Sequence, residues 1–261
     1  LINRFINHQQ LIFTSSSLSY GNSVKYLENG LGNISLELFH IPSQYNYKEN
    51  ALVLMPSEPL IPNSNQLDQY SLMIAQQLET ILKNTELKVL VIFHSLELLD
   101  AVSEKLFERK NLSHYQILVQ GKSGSRTRIL RRFKNSNPSI LLGSNSFSEG
   151  LDLPGDQLDV VVLPRLPFDS PEMPIFEIYE QTLSEPKHLF SEIMLPRAVI
   201  RFKQIFGRLI RSHTDHGILV VLDSRYQTAN YKKLFHESLP GETPEKIKNL
   251  DEINEHLKDY F

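Results

Sequence analysis

The run from Arg197 to Arg211, RAVIRFKQIFGRLIR, has residue types and spacings suited to holding a chain of phosphates. Placed on a helix at about 100° per residue, Arg201, Gln204, Arg208 and Arg211 share one face. Ala198, Phe202, Ile205 and Leu209 then form an apolar stripe nearly opposite. Guanidinium groups match phosphate oxygens with forked donors and do not lose their charge. Gly207 breaks into the helical pattern at a cost of roughly 1 kcal/mol relative to Ala, unless something must approach the backbone closely there. The competing reading is an amphipathic surface helix with a solvated basic face.

Two further clusters have chemical potential. In SFSEGLDLPG, Glu149, Gly150, Asp152 and Gly155 follow a short apolar run, and Gly150 would let a ligand approach the backbone. Acids among glycines suggest a divalent metal loop, but the number and spacing of oxygens fall short of a calcium site. Upstream, Lys122, Arg126, Arg128, Arg131, Arg132 and Lys134 crowd thirteen residues. That run is either a solvated helix face or a track for a phosphate backbone, which would bind without reading sequence. Gly121–Lys122–Ser123 spells the end of a P-loop, but the motif needs glycine at position 116, which is Gln116. Ile117–Val119 also reads as strand where the phosphate loop should lie.

Other chemistries are excluded by what the chain lacks. With no cysteine there is no disulfide, thiolate metal site, iron–sulfur ligation or cysteine nucleophile in this segment. G-x-S-x-G and H-E-x-x-H are absent, and the nine histidines are scattered. His213, Asp215 and His216 share a loop that reads as a polar turn rather than a zinc site. No metal site is expected. A net charge of −3 means that nucleic-acid binding must rest on local patches. No apolar run reaches the roughly 20 residues that span a bilayer, and no secretory signal is present, so a cytoplasmic protein without a membrane partner is expected. The chain opens on Leu1 rather than Met, which reads as a piece of a longer protein.

These residues need elements to position them. Leu11–Phe13, Ser35–Phe39 and Ala51–Met55 read as strands, and the prolines at 56, 59 and 62 as a linker. Gln66–Lys83 has helical periodicity. From Lys88 the order is strand, helix Leu96–Phe107, strand Gln116–Val119, helix Arg126–Phe133, strand Ser139–Leu142, strand Val160–Leu163, the Arg-rich helix, and strand Gly217–Leu222. Proline-rich chain with one helix around Ile175–Leu183 precedes the Arg-rich helix, and Pro244–Phe261 reads as an exposed helix. Short apolar runs alternating with amphipathic helices predict an α/β fold, a mostly parallel sheet covered on both faces. Ser95, at a strand end, is placed either to cap the helix that follows or to meet a ligand beyond the sheet.

The motifs carry a resemblance. QIFGRLIR resembles motif VI (Q-x-x-G-R-x-x-R) of superfamily 2 helicases, and LLGSNSFSEGLDLPG resembles their motif V. Together with Leu166–Pro167–Phe168 and VVLDSR, the form is similar to the DinG branch, which is related to XPD helicases. Thr14–Ser19, TSSSLS, is similar to motif III, with Ser16 and Ser17 where the family favours Ala and Thr. Phe93, His94 and Ser95 match motif IV. The resemblance runs from about Leu11 to Arg225.

It implies a RecA-like second helicase lobe, with residues 1–62 holding motif III and the crossing between lobes, 63–240 the lobe, and 241–261 a helical tail. It further implies an ATP-dependent DNA helicase whose ATP and Mg²⁺ are bound mainly by an N-terminal lobe of the same parent chain. P-loop and Mg²⁺-holding acidic motifs are missing here, so this segment alone is expected to be inactive. Arg211 would be the arginine finger, with Arg208 beside it and Gln204 positioning phosphates or water. Gly207, Glu149, Gly150 and Asp152 would line the nucleotide side. Ser95, Lys122, Arg126, Arg131, Arg132, Asn145 and Ser146 would meet single-stranded DNA. The alternative is a nucleic-acid-binding module of a DinG-like exonuclease without unwinding activity.

Overall fold

The computed structural model describes residues 11–21, 23–32, 34–63, 66–148, 150, 153, 155–182, 188–241 and 243–261. Seven strands build the sheet: β1 (Ala51–Pro56), β2 (Lys88–Phe93), β3 (Gln116–Val119), β4 (Ser139–Ser144), β5 (Val160–Leu163), β6 (Gly217–Val221) and β7 (Glu245–Lys248). They lie in the order β3-β4-β2-β5-β6-β1-β7, and every pairing is parallel. A parallel sheet needs cover on both faces, and the strands β1, β2, β4, β5 and β6 are accordingly buried along their whole length and apolar except for Lys88, Ser139 and Ser144 at strand ends.

Six longer helices supply much of that cover: α1 (Leu67–Leu82), α2 (Leu96–Phe107), α3 (Arg126–Asn135), α4 (Pro174–Thr182), α5 (Leu195–Phe206) and α6 (Leu250–Tyr260). One core packs α1, α2 and α6 through Ile74, Leu78, Leu99, Val102, Ile253 and Leu257. The opposite core packs α3 and α5 through Ile129, Phe133, Ala198, Phe202 and Phe206. Phe202 meets Phe235 edge-on at 5.4 Å between centroids.

Several expectations change. Leu11–Phe13 and Ser35–Phe39 form no strand; both stretches run as unpaired, largely exposed chain. The tail is not a free helix. Glu245–Lys248 pairs with β1 as the edge strand β7, and Ile253 and Leu257 of α6 have no exposed surface. Asn254 Nδ2 donates to the carbonyls of Ile81 and Lys83 at 2.7 and 2.8 Å, satisfying the end of α1. The sheet therefore takes strands from both sides of the 63–240 span.

Candidate functional site

The Arg-rich run is not one helix. Pro196 opens α5, and the helix stops at Phe206, with Gly207 as its C-cap. Arg208 N–H still reaches Ile205 O and Leu209 N–H reaches Phe206 O, both at 3.0 Å, closing a last tight turn. In the turn that follows, Leu209 and Ile210 are both buried. Leu209 lies against the start of β6 so closely that a Cβ on Gly217 would stand 2.7 Å from its Cδ2. Gly207 keeps φ −64, ordinary helical backbone, so left-handed geometry is not its purpose.

This placement splits the expected face. Arg201 pairs with Asp169, which also takes Arg197 Nε at 2.7 Å. Gln204 is exposed, and its Nε2 donates to Ser17 Oγ at 3.1 Å, bringing TSSSLS against α5. Arg208 and Arg211 are half-buried in the turn beyond the helix.

Asp215 fixes that turn. Its buried carboxylate accepts N–H bonds from Arg211 at 2.8 Å, Ser212 at 3.0 Å and Gly155 at 3.2 Å, and a hydroxyl bond from Ser212. Burial alone would raise its pKa; the donors outweigh burial and hold the carboxyl below the usual value. Tyr45 hydroxyl donates to the Arg211 carbonyl at 2.9 Å, so both backbone groups of Arg211 are held. The same carboxylate ties the end of the SFSEGLDLPG stretch to the Arg208–Arg211 turn, at the amino edge of the sheet. Glu149 and Asp152 lie outside the described residues, as does the side chain of Ser146. Among the described residues no group of three His, Asp or Glu is gathered closely enough to hold a metal.

The other end of that stretch lies at the carboxyl edge. Ser144 N–H donates to Gln120 Oε1 at 2.6 Å, and Asn145 opens a short helical turn to Ser148. Ser95 Oγ accepts Leu98 N–H at 3.2 Å, so it caps α2. Ser125 caps α3 in the same way. Arg126 lies 5.5 Å from the centroid of the Phe147 ring, and a Cβ on Gly150, whose φ is +71, would stand 3.7 Å from the Arg126 guanidinium. A groove of about 530 Å³ is lined by Arg126, Thr127, Leu130, Arg131, Lys134 and Gly150 among others.

The basic run therefore divides. Arg126 and Arg131 line the groove, while Arg132 does not and is half-buried. Lys122 turns to α2, 3.2 Å from Asp100 and 3.6 Å from Glu104. Ser123 Oγ accepts Val119 N–H at 2.9 Å, and α3 begins only at Arg126, so Gly121–Lys122–Ser123 does not open a helix as a P-loop does.

The sequence pattern of the helicase C-terminal domain matches residues 78–242. The chain belongs to that family. It is a C-terminal helicase lobe of the DinG/XPD group, α/β and RecA-like. The lobe is 35% identical over 240 residues to "3'-5' exonuclease DinG" of Bacillus subtilis, covering 90% of this chain and 26% of that protein. It is 30% identical over 250 residues to "ATP-dependent DNA helicase YoaA" of Haemophilus influenzae, covering 95% of this chain and 37% of that one. In fold it is similar to XPD helicase, with TM-score 0.55, 18% identity and 76% of this chain covering 36% of the other. It is likewise similar to S. tokodaii Xpd4, with TM-score 0.56, 18% identity and 87% covering 48%. The lobe thus spans a minor part of its curated relatives. Asp215 and Tyr45 were not found by sequence reasoning. In the sequence Asp215 reads as turn polarity, and no spacing marks Tyr45.

Proposed function

We propose that this lobe supplies one wall of an ATP site whose phosphate cradle and Mg²⁺ ligands belong to a first lobe, and that it also carries single-stranded DNA. Arg211 acts as the arginine finger, Arg208 stands beside it, and Gln204 helps position phosphate or water. A guanidinium delivered to the γ-phosphate neutralises charge that grows in the transition state, worth about 10³–10⁵ in rate. The lobe's own residues bind, orient and exclude water; the metal stays with the partner lobe. Gly207 adds bare backbone, and Glu149 and Asp152 complete the nucleotide side, whereas Gly150 stands with Arg126 at the groove. The observation that carries this reading is the Asp215 clamp, which fixes Arg211 and Gly155 together at the amino edge.

The strap between Asn145 and Gly155 links the nucleotide edge to the groove of Arg126 and Arg131, where the DNA backbone is held without sequence readout. Asn145, Ser146 and Ser95 lie along the same path. Closing the cleft against the first lobe then moves this strap and the DNA with it. Lys122 and Arg132 are left out of the path because one is paired with acids and the other does not line the groove.

In a chain carrying both lobes, Arg211→Ala abolishes DNA-stimulated ATP turnover while nucleotide binding, followed by fluorescent ADP, stays within a few-fold. Unchanged turnover removes the finger assignment. The Bacillus subtilis relative's name favours one other reading, a DNA-binding module of an exonuclease without unwinding. DNA-driven ATP turnover and strand separation by the two-lobe chain decide against it.

A further inference from the structure

The carboxyl edge of the sheet holds a second cationic position, one that no motif assigns. β2 pairs with β5 as far as Val91 and Val162, and His94 and Arg165 follow just beyond the carboxyl ends of the two strands. β2 and β4 pair Phe93 with Ser144, which sets His94 beside Asn145 on its other side. Asn145, His94 and Arg165 thus leave three adjacent strand ends, two strand spacings or roughly 10 Å across.

Three of the four arginines gathered here have an aspartate partner. Arg197 and Arg201 both pair with Asp169, and Arg225 pairs with Asp223 at 2.7 Å. Among the described residues Arg165 has no acidic partner.

Arg165 is also held in place rather than trailing in solvent. Leu166 N–H donates to Asp223 Oδ2 at 2.7 Å, Tyr70 hydroxyl donates to Pro164 O at 3.1 Å, and the Arg165 guanidinium lies 6.0 Å from the Tyr70 ring centroid. A cation kept half-buried over an aromatic face, with its neighbours' acids already occupied, is pre-organised for an anion arriving from outside.

We propose that Arg165 contacts a backbone phosphate of single-stranded DNA, extending the path from the Arg126 groove across the strand ends of β4, β2 and β5. This rests on the DNA-carrying reading given above. The contact is a charge-assisted fork to phosphate oxygens and reads no base.

The test is binding of a fluorescein-labelled oligothymidylate to this chain, by anisotropy across a salt series. Arg165→Gln weakens binding about tenfold at low salt and makes the log–log salt slope shallower by about 0.7, as expected for one phosphate contact on a single strand. Arg165→Lys keeps the slope while losing part of the affinity. Lys110→Gln, an exposed charge before β3 at the opposite edge, changes neither. All variants are compared at equal thermal midpoints, and Arg165→Lys serves if the glutamine variant unfolds. If Arg165→Gln behaves like Lys110→Gln while Arg126→Ala flattens the slope, the Arg165 contact is wrong and the DNA path stands. If the unaltered chain shows no salt-dependent binding, both fall.

Discussion

Both backbone groups of Arg211 are held by other residues. A finger must meet a developing charge within a few tenths of an ångström, and a loop residue reaches that only when its backbone is fixed. Asp215 and Tyr45 do this from opposite sides. The motif pattern marked Arg211, Arg208 and Gln204 because their spacing is their chemistry. It could not mark Asp215, whose importance comes from a bond to Gly155, sixty residues away in sequence. His94 shows a different residue-scale consequence. Burial, helped by the nearby Arg201 and Arg165, pushes its pKa down from 6.5 to about 4, and its Nε2 is sealed from solvent without a partner. The folded chain thus favours the neutral ring. That contribution is complete above the unfolded pKa and is lost as pH falls from about 6.5 towards 4. It amounts to roughly 3 kcal/mol at the lower end. Urea melts of this chain lose stability across that window, and His94→Gln flattens the loss. An equal loss in the variant assigns the acid sensitivity elsewhere.

At the scale of elements, the sequence was most legible where one pattern dominated. The helix over Leu96–Phe107 and the strands Gln116–Val119 and Val160–Leu163 fall where their apolar runs end. Legibility failed where tertiary packing overrode local pattern. The Arg-rich run keeps helical periodicity to Arg211, yet the helix ends at Phe206, and Leu209 and Ile210 are buried in the turn beyond it. β7 reads Glu-Lys-Ile-Lys, which looks like exposed helix; it is a charged edge strand, the composition that discourages further pairing. Its neighbour α6 closes on α1, so the C-terminal segment belongs to the fold. Ile253→Ala costs about 2–4 kcal/mol in a denaturant melt, the range for a buried aliphatic truncation. A cost near zero would return the segment to the status of a loose tail.

In the proposed function the whole molecule keeps two chemistries on opposite edges of one sheet. The amino edge carries Arg208, Arg211 and Asp215; the carboxyl edge carries Ser95, Asn145, Arg126 and Arg165. The stretch from Asn145 to Gly155 is the covalent path between them, attached at one end through Ser144 to Gln120 and at the other through Gly155 to Asp215. A lobe built this way suits a machine in which nucleotide state and DNA position change together, and in the proposed function it holds only part of the nucleotide site. That is the central claim, and ATP hydrolysis measures it most directly. This chain is assayed alone, with and without single-stranded DNA, and again joined to a first helicase lobe. The account predicts no turnover from the chain alone in either condition, and DNA-stimulated turnover once the first lobe is present. DNA-stimulated turnover by the chain alone would contradict it, and Gly121–Lys122–Ser123 would be the first place to look for the missing phosphate site.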